Sequence, residues 1–170
     1  MFLPSDFPWS IGTDEFDGIV QRSYGWNLGI EYVPDAEPAK AEQLGSADPA
    51  FLQALMEVDA LLANTDRSIA NPNILETEGG LIAIDFDACL FLRRAAQGLK
   101  PSSFGLFPGH LLQTFEGERP HRPIDTNCFE QGLEGAPAEW FDFIGEGPEA
   151  LADNLRQYAL AWNRAAAPQD

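Results

Sequence analysis

Residues 57–92 read EVDALLANTDRSIANPNILETEGGLIAIDFDACLFL, and the fold turns on how this stretch divides. Its first residues continue a helix that begins upstream at Asp48-Pro49. There the Asp carboxylate accepts bonds from free backbone N–H groups, and Pro at the first helical position wastes no donor. Phe51, Leu52, Leu55, Met56, Asp59 and Leu62 then recur at three- and four-residue steps, which predicts a helix to about Ala63. Residues 64–73 carry Asn, Thr, Asp, Arg, Ser and Pro, the chemistry of a loop. Two short apolar runs, 73–76 and 81–84, flank Thr77-Glu78-Gly79-Gly80 and predict a tight hairpin. Helix, polar loop and hairpin in succession make the domain α+β and mainly helical.

Working outward, residues 1–47 are rich in Pro, Gly, Asp and aromatics. The run Ile19 to Val33 is expected to hold one or two short strands, with Gly25 and Gly29 as turn points. Phe2, Phe7, Trp9, Phe16 and Trp26 are too many rings for a free tail, so this segment is expected to wrap against the core. Residues 34–43 read as a surface loop or short helix. Beyond the hairpin, residues 88–98 are a helical or irregular apolar segment. Residues 101–147 are punctuated by Pro and Gly, with 107–115 the best short helix. Residues 148–167 form the clearest remaining helix, with Leu151, Leu155, Tyr158, Ala159 and Trp162 on one face. No repeat or long linker interrupts the chain. It reads as a single domain, 1–170, made of a wrapping segment (1–47), a central segment (48–100) and a Pro/Gly-rich region with a terminal helix (101–170).

A length of 170 residues suits one such domain, able to bury about 70% of its unfolded surface. No run approaches the roughly 20 apolar residues of a membrane span. The start MFLPSDFPWS has no basic region and is a poor signal peptide, so the expected location is cytoplasmic. Cys89, Cys128, His110 and His121 match no zinc spacing and read as two buried free thiols and two histidines.

The net charge of −17 is unevenly spread. Residues 1–63 hold 11 acids against 2 bases and residues 101–170 hold 11 against 4, whereas residues 64–100 hold 5 against 4. The acidity therefore lies in the flanks. It opposes direct nucleic-acid binding and anionic membranes, and it favours a partner protein with a basic surface. Solubility, or a salt-adapted source, is the plainer explanation.

Within the central segment, Asp66, Asn71 and Asp85 have the spacing of phosphoryl-transfer sites. There a D-x-x-x-x-N loop supplies a base and a metal ligand, and an Asp after the next strand holds the metal. D-x-x-x-x-N alone is weak. The full run NTDRSIANPNIL followed by LIAIDFDACL is more specific, and it resembles the catalytic segment of HipA-like kinases, bacterial Ser/Thr kinases of toxin–antitoxin type. The resemblance spans about residues 28–92 and is specific over 58–90. It implies a kinase C-lobe-like fold whose small hairpin carries the D-x-x-x-x-N and I-D-F-D segments. It also implies Asp66 as catalytic base and Asn71 and Asp85 as metal ligands, with Mg²⁺ and ATP as the candidate cofactors; Arg67 and Asn73 beside them are candidate cofactor-binding residues. Phe86-Asp87 departs from the commoner His-Gly-like continuation and leaves the role of Asp87 open.

A kinase also needs a Gly-rich loop and a strand Lys over the phosphates. The chain has no G-x-G-x-x-G, and its only lysines are Lys40 and Lys100. The nucleotide-covering lobe is therefore expected to be absent. Arg67 either neutralises phosphate or pairs with Asp85 or Asp87 to hold the loop. Three readings stay open: a phosphotransferase that borrows a lobe, a relic scaffold, or an unrelated acidic domain. The function expected is a kinase-derived C-lobe acting as an acidic protein-binding or regulatory module. One such role is inhibition of a nucleic-acid-binding machine, of anti-CRISPR or other anti-defence type. The alternatives are a split or minimal ATP/Mg-dependent Ser/Thr kinase needing a partner chain, and an antitoxin-like partner of a full-length HipA-like kinase.

Overall fold

The computed structural model describes residues 2–6, 13–27, 31–100, 104–113, 122–145 and 147–166. The chain divides into two compact units, Met1–Pro34 and Asp35–Asp170. In the first, strand β1 (Phe2–Leu3) is followed by helix α1 (Asp14–Arg22) and strand β2 (Gly25–Trp26), which pairs antiparallel with β1. The run 19–33, expected to hold one or two short strands, begins as the end of α1 and holds β2. Ser23 closes that helix by donating its N–H to the Val20 carbonyl, and Gly25 at φ +105° makes the turn into β2. Phe2 and Trp26 meet edge to face, with centroids 5.5 Å apart. Phe7, Trp9 and Gly29, also named in the sequence reading, lie outside the described residues.

The second unit opens with strand β3 (Glu37–Pro38) and a 3₁₀ turn at Ala41–Ser46, followed by helix α2 (Pro49–Leu62). Asp48 caps α2, its Oδ1 accepting the Ala50 N–H at 2.9 Å. Strands β4 (Ile74–Thr77) and β5 (Gly80–Ala83) form the hairpin, in the register Ile74↔Ala83 to Thr77↔Gly80. β3 pairs antiparallel with the other edge of β4, giving a three-stranded sheet. Residues 37–39 thus join the sheet, and the turn at 41–46 accords with the loop or short helix expected over 34–43. Gln43 reinforces the join by donating from Nε2 to Glu76 Oε2 at 2.6 Å.

Four further helices follow among the described residues: α3 (Phe91–Ala96), α4 (Cys128–Glu134), α5 (Ala138–Ile144) and α6 (Pro148–Ala166). The expected helix at 107–115 is replaced, over the described residues to 113, by turns. Gly109 sits at φ +83°, and the backbone of His110 bridges to Ser68, so this segment is committed to the loop beside it. Apolar side chains gather into two buried clusters. Ala39, Leu44, Leu52, Leu55, Met56, Ile74 and Leu112 join α2 to the sheet. Phe91, Ala95, Phe141, Leu151, Leu155 and Tyr158 join α3, α5 and α6. The α6 face anticipated from periodicity is the one buried, and Tyr158 donates its hydroxyl proton to the Leu61 carbonyl at 3.2 Å, tying α6 to α2. Trp162 fits the same wall, edge to face with Phe104 and donating from Nε1 to the Arg122 carbonyl at 2.8 Å. No helix among the described residues is long and apolar enough to cross a membrane.

Candidate functional site

The loop between α2 and β4 is built on a charge that has no access to water. Arg67 is 1% exposed, and its Nε lies 2.6 Å from Asp59 Oδ2. The remaining guanidinium donors reach the carbonyls of Pro72 (2.9 Å), Asn73 (2.6 Å) and Ile84 (3.4 Å). The Phe86 ring covers the guanidinium, 5.0 Å from its carbon to the ring centroid. A buried cation needs a buried counter-ion and satisfied donors, and this arrangement supplies both. Arg67 therefore does not pair with Asp85 or Asp87, as one reading of the sequence held. Both acids are exposed, where water competes for them, whereas Asp59 comes from the buried face of α2. Nor does its enclosed guanidinium face a site for phosphate.

Asp59 collects three donors. Asn64 Nδ2 donates to Oδ1 at 2.9 Å, while Arg67 Nε and His110 Nε2 meet Oδ2 at 2.6 and 3.0 Å. His110 Nδ1 accepts the Leu112 N–H at 3.0 Å, which assigns the proton of a neutral ring to Nε2. Burial by itself pushes the Asp59 carboxyl up. The hydrogen bonds from His110, Arg67 and Asn64 outweigh it and hold the group below its ordinary value of 3.8. The network thus fixes both ends of the loop and the segment that carries His110. Sequence reasoning missed it, although one signal was present: Asp59 is a charged residue in an otherwise apolar helical stripe.

On the outer side of the same loop stands the acid–amide set. Asn71 Nδ2 donates to Asp66 Oδ2 at 2.9 Å, and Asn73 Nδ2 reaches the same oxygen at 3.3 Å. The Asp66 N–H is itself held by Asn64 Oδ1 at 3.1 Å. Ser68 and Asn71 close the turn, with Ser68 N–H to the Asn71 carbonyl at 3.0 Å and Asn71 N–H to Ser68 Oγ at 3.2 Å. Asn73 and Asp85 both occupy the left-handed region, at φ +50° and +57°, on either side of the hairpin. The Ile84 N–H donates to the Asn73 carbonyl between them at 2.9 Å. Asn and Asp are the non-glycine residues that tolerate this conformation best.

Two carboxylates, Asp85 and Asp87, are neighbours at the end of the hairpin. Asp85 pushes the Asp87 carboxyl up, first through a hydrogen bond and then through its charge, and Asp66 adds a weaker push. Asp87, whose role the sequence left open, is therefore a close neighbour of Asp85. Such a pair matches the protein's share of a Mg²⁺ shell, which is one or two carboxylates completed by phosphate oxygens and water. A cage made by the protein alone is absent: among the described residues no group of three or more His, Cys, Asp or Glu is placed to hold a metal ion. Cys89, behind the acids, has its thiol pushed up to about 11 by burial and then by the charge of Asp59, so it stays protonated. Cys128 is exposed rather than buried as expected, and His121 lies outside the described residues.

Of the sequence-predicted residues, Asp66, Asn71 and Asn73 are in direct contact, whereas Asp85 neighbours Asp87, on which Asp66 acts only through its charge. Arg67 faces the opposite way, into the protein. Comparison with known proteins gives no match: no family model, no curated protein and no solved structure corresponds to this chain.

Proposed function

We propose that this chain is a HipA-like, kinase-derived lobe that acts as an acidic protein-binding or regulatory module and is not a self-sufficient phosphotransferase. The observation that carries this reading is the direction of Arg67. Phosphoryl transfer is accelerated by positioning and by positive charge on the phosphates. The loop retains the acid–amide pair Asp66–Asn71, yet its own cation is spent on Asp59 and three carbonyls. With a net charge of −17, the surface favours a basic partner, such as a protein whose normal ligand is nucleic acid. An anti-CRISPR or other anti-defence inhibitor is one role of that kind.

Calorimetric titration with ATP and Mg²⁺, paired with a phosphotransfer assay, tests the catalytic half. The expected outcome is no turnover by the chain alone. Turnover that Asp66→Ala abolishes would overturn the proposal. Capture at low salt tests the binding half, which fails when no basic protein is recovered.

A second reading is favoured by the Asp85–Asp87 pair: a split ATP/Mg-dependent Ser/Thr kinase of toxin–antitoxin type. In it Asp66 orients the acceptor hydroxyl while Asn71 and Asp85 hold Mg²⁺, and a partner chain supplies the phosphate clamp. ATP binding that appears only with such a partner and disappears in Asp85→Ala would establish it.

A further inference from the structure

Helices α4 and α5 and the first turn of α6 enclose an open groove of about 740 Å³. Its floor is apolar, formed by Leu133 of α4, Ala136, Phe141 of α5 and Pro148 of α6. A second depression of about 370 Å³ shares Leu133, Glu134 and Pro148 with it and runs on past Glu130 and Glu149. The rim is acidic. Arg156 pairs with Glu130 and, at 2.6 Å, with Asp153, so one cation is shared between those two acids. Glu134, Asp142 and Glu149 have no ion-pair partner among the described residues.

We propose that this groove docks a basic segment of a partner protein. An apolar side chain of that segment sits on Leu133 and Phe141, and flanking Lys or Arg side chains reach Glu134, Asp142 and Glu149. The inference rests on the acidic-binding reading above and gives it a location. Charge complementarity selects the occupant. An anionic ligand meets three unbalanced carboxylates, and a purely apolar one desolvates them without offering donors. Lys and Arg do neither, because their aliphatic stems cover apolar surface while their charged ends stay at the rim.

The test titrates the full chain at low salt with two labelled peptides of equal charge, one of Leu, Lys and Arg at helical spacing and one of Lys alone. The first is expected to bind more tightly. Glu134→Lys with Asp142→Lys should weaken it about tenfold or more, and the isosteric Glu134→Gln with Asp142→Asn should weaken it less but measurably. The same reversal elsewhere, Glu42→Lys with Glu78→Lys, should change binding about twofold at most. Equal weakening by both reversals would mean that net charge alone attracts the peptide; the groove would be overturned while the acidic-binding reading stood. Equal affinity for the two peptides would overturn the apolar floor as an anchor, and with it the proposal. Failure of both peptides to bind at low salt would remove the groove and the acidic-binding reading together.

Discussion

Arg67 Nε lies 2.6 Å from Asp59 Oδ2, and both side chains are completely enclosed. The pair holds the loop through the Asn73 and Ile84 carbonyls on one side, His110 on the other, and Asn64, which in turn holds the Asp66 N–H. Removing one partner strands the other as a buried, uncompensated charge. Asp59→Ala and Arg67→Ala are each expected to lower stability by about 3–5 kcal/mol, and the double variant by clearly less than their sum. Urea unfolding of the three variants gives the answer, and additive losses would show that the two side chains act independently.

The same carboxylate makes acid stability predictable. Asp59 titrates lower in the folded chain than in the unfolded one. Its contribution is complete above the unfolded value and is lost as pH falls through the folded one. Stability should therefore drop steeply below about pH 4 in the wild type and less steeply in Asp59→Asn, which has no proton to take up there. Unfolding midpoints measured down to pH 2 check the sign. Parallel curves would exclude Asp59 as the source.

Asp87 works in the opposite direction. Its carboxyl is raised by Asp85, so the folded state holds that proton more tightly than the unfolded state does. The favourable term is present at low pH and is lost as pH rises through the folded value, leaving repulsion at neutrality. Asp87→Asn should raise the thermal midpoint at pH 7 and leave it unchanged at pH 3. Mg²⁺ should narrow the pH 7 difference if the pair takes a cation. A midpoint lowered at pH 7 would count against repulsion between the two acids.

At the start of α2, the Asp48 carboxylate holds the Ala50 N–H. Asp48→Ala should cost about 1 kcal/mol, and Asp48→Asn or Asp48→Ser should recover most of it. A thermal melt that does not move on Asp48→Ala would mean that packing alone fixes this end of the helix.

Much of the local architecture was legible in the chain. The Asp48-Pro49 start and the apolar stripe delimit α2, the four residues 77–80 set the hairpin, and the face of α6 follows from its periodicity. Asp66 and Asn71 are likewise five residues apart in one tight loop, so their contact is local. These features rest on interactions within about four or five residues, which a sequence displays directly. Where a local rule failed, a distant partner had intervened. Residues 107–113 are drawn out of a helix by the Ser68–His110 bridge, and residues 37–38 are taken up as a strand on the edge of β4.

The sequence by itself determined the helix, the polar loop, the hairpin and the acid–amide set on the loop. Tertiary structure alone decided which acid Arg67 would meet. The sequence pointed to Asp85 or Asp87, yet the partner is Asp59, 8 residues before Arg67 on the buried face of α2, and His110 reaches that same carboxylate from 51 residues away. A charge taken out of water pairs with whatever counter-charge the packing of distant segments also encloses. Neither composition nor spacing records that enclosure. It turned Arg67 inward, to brace the loop rather than meet a phosphate.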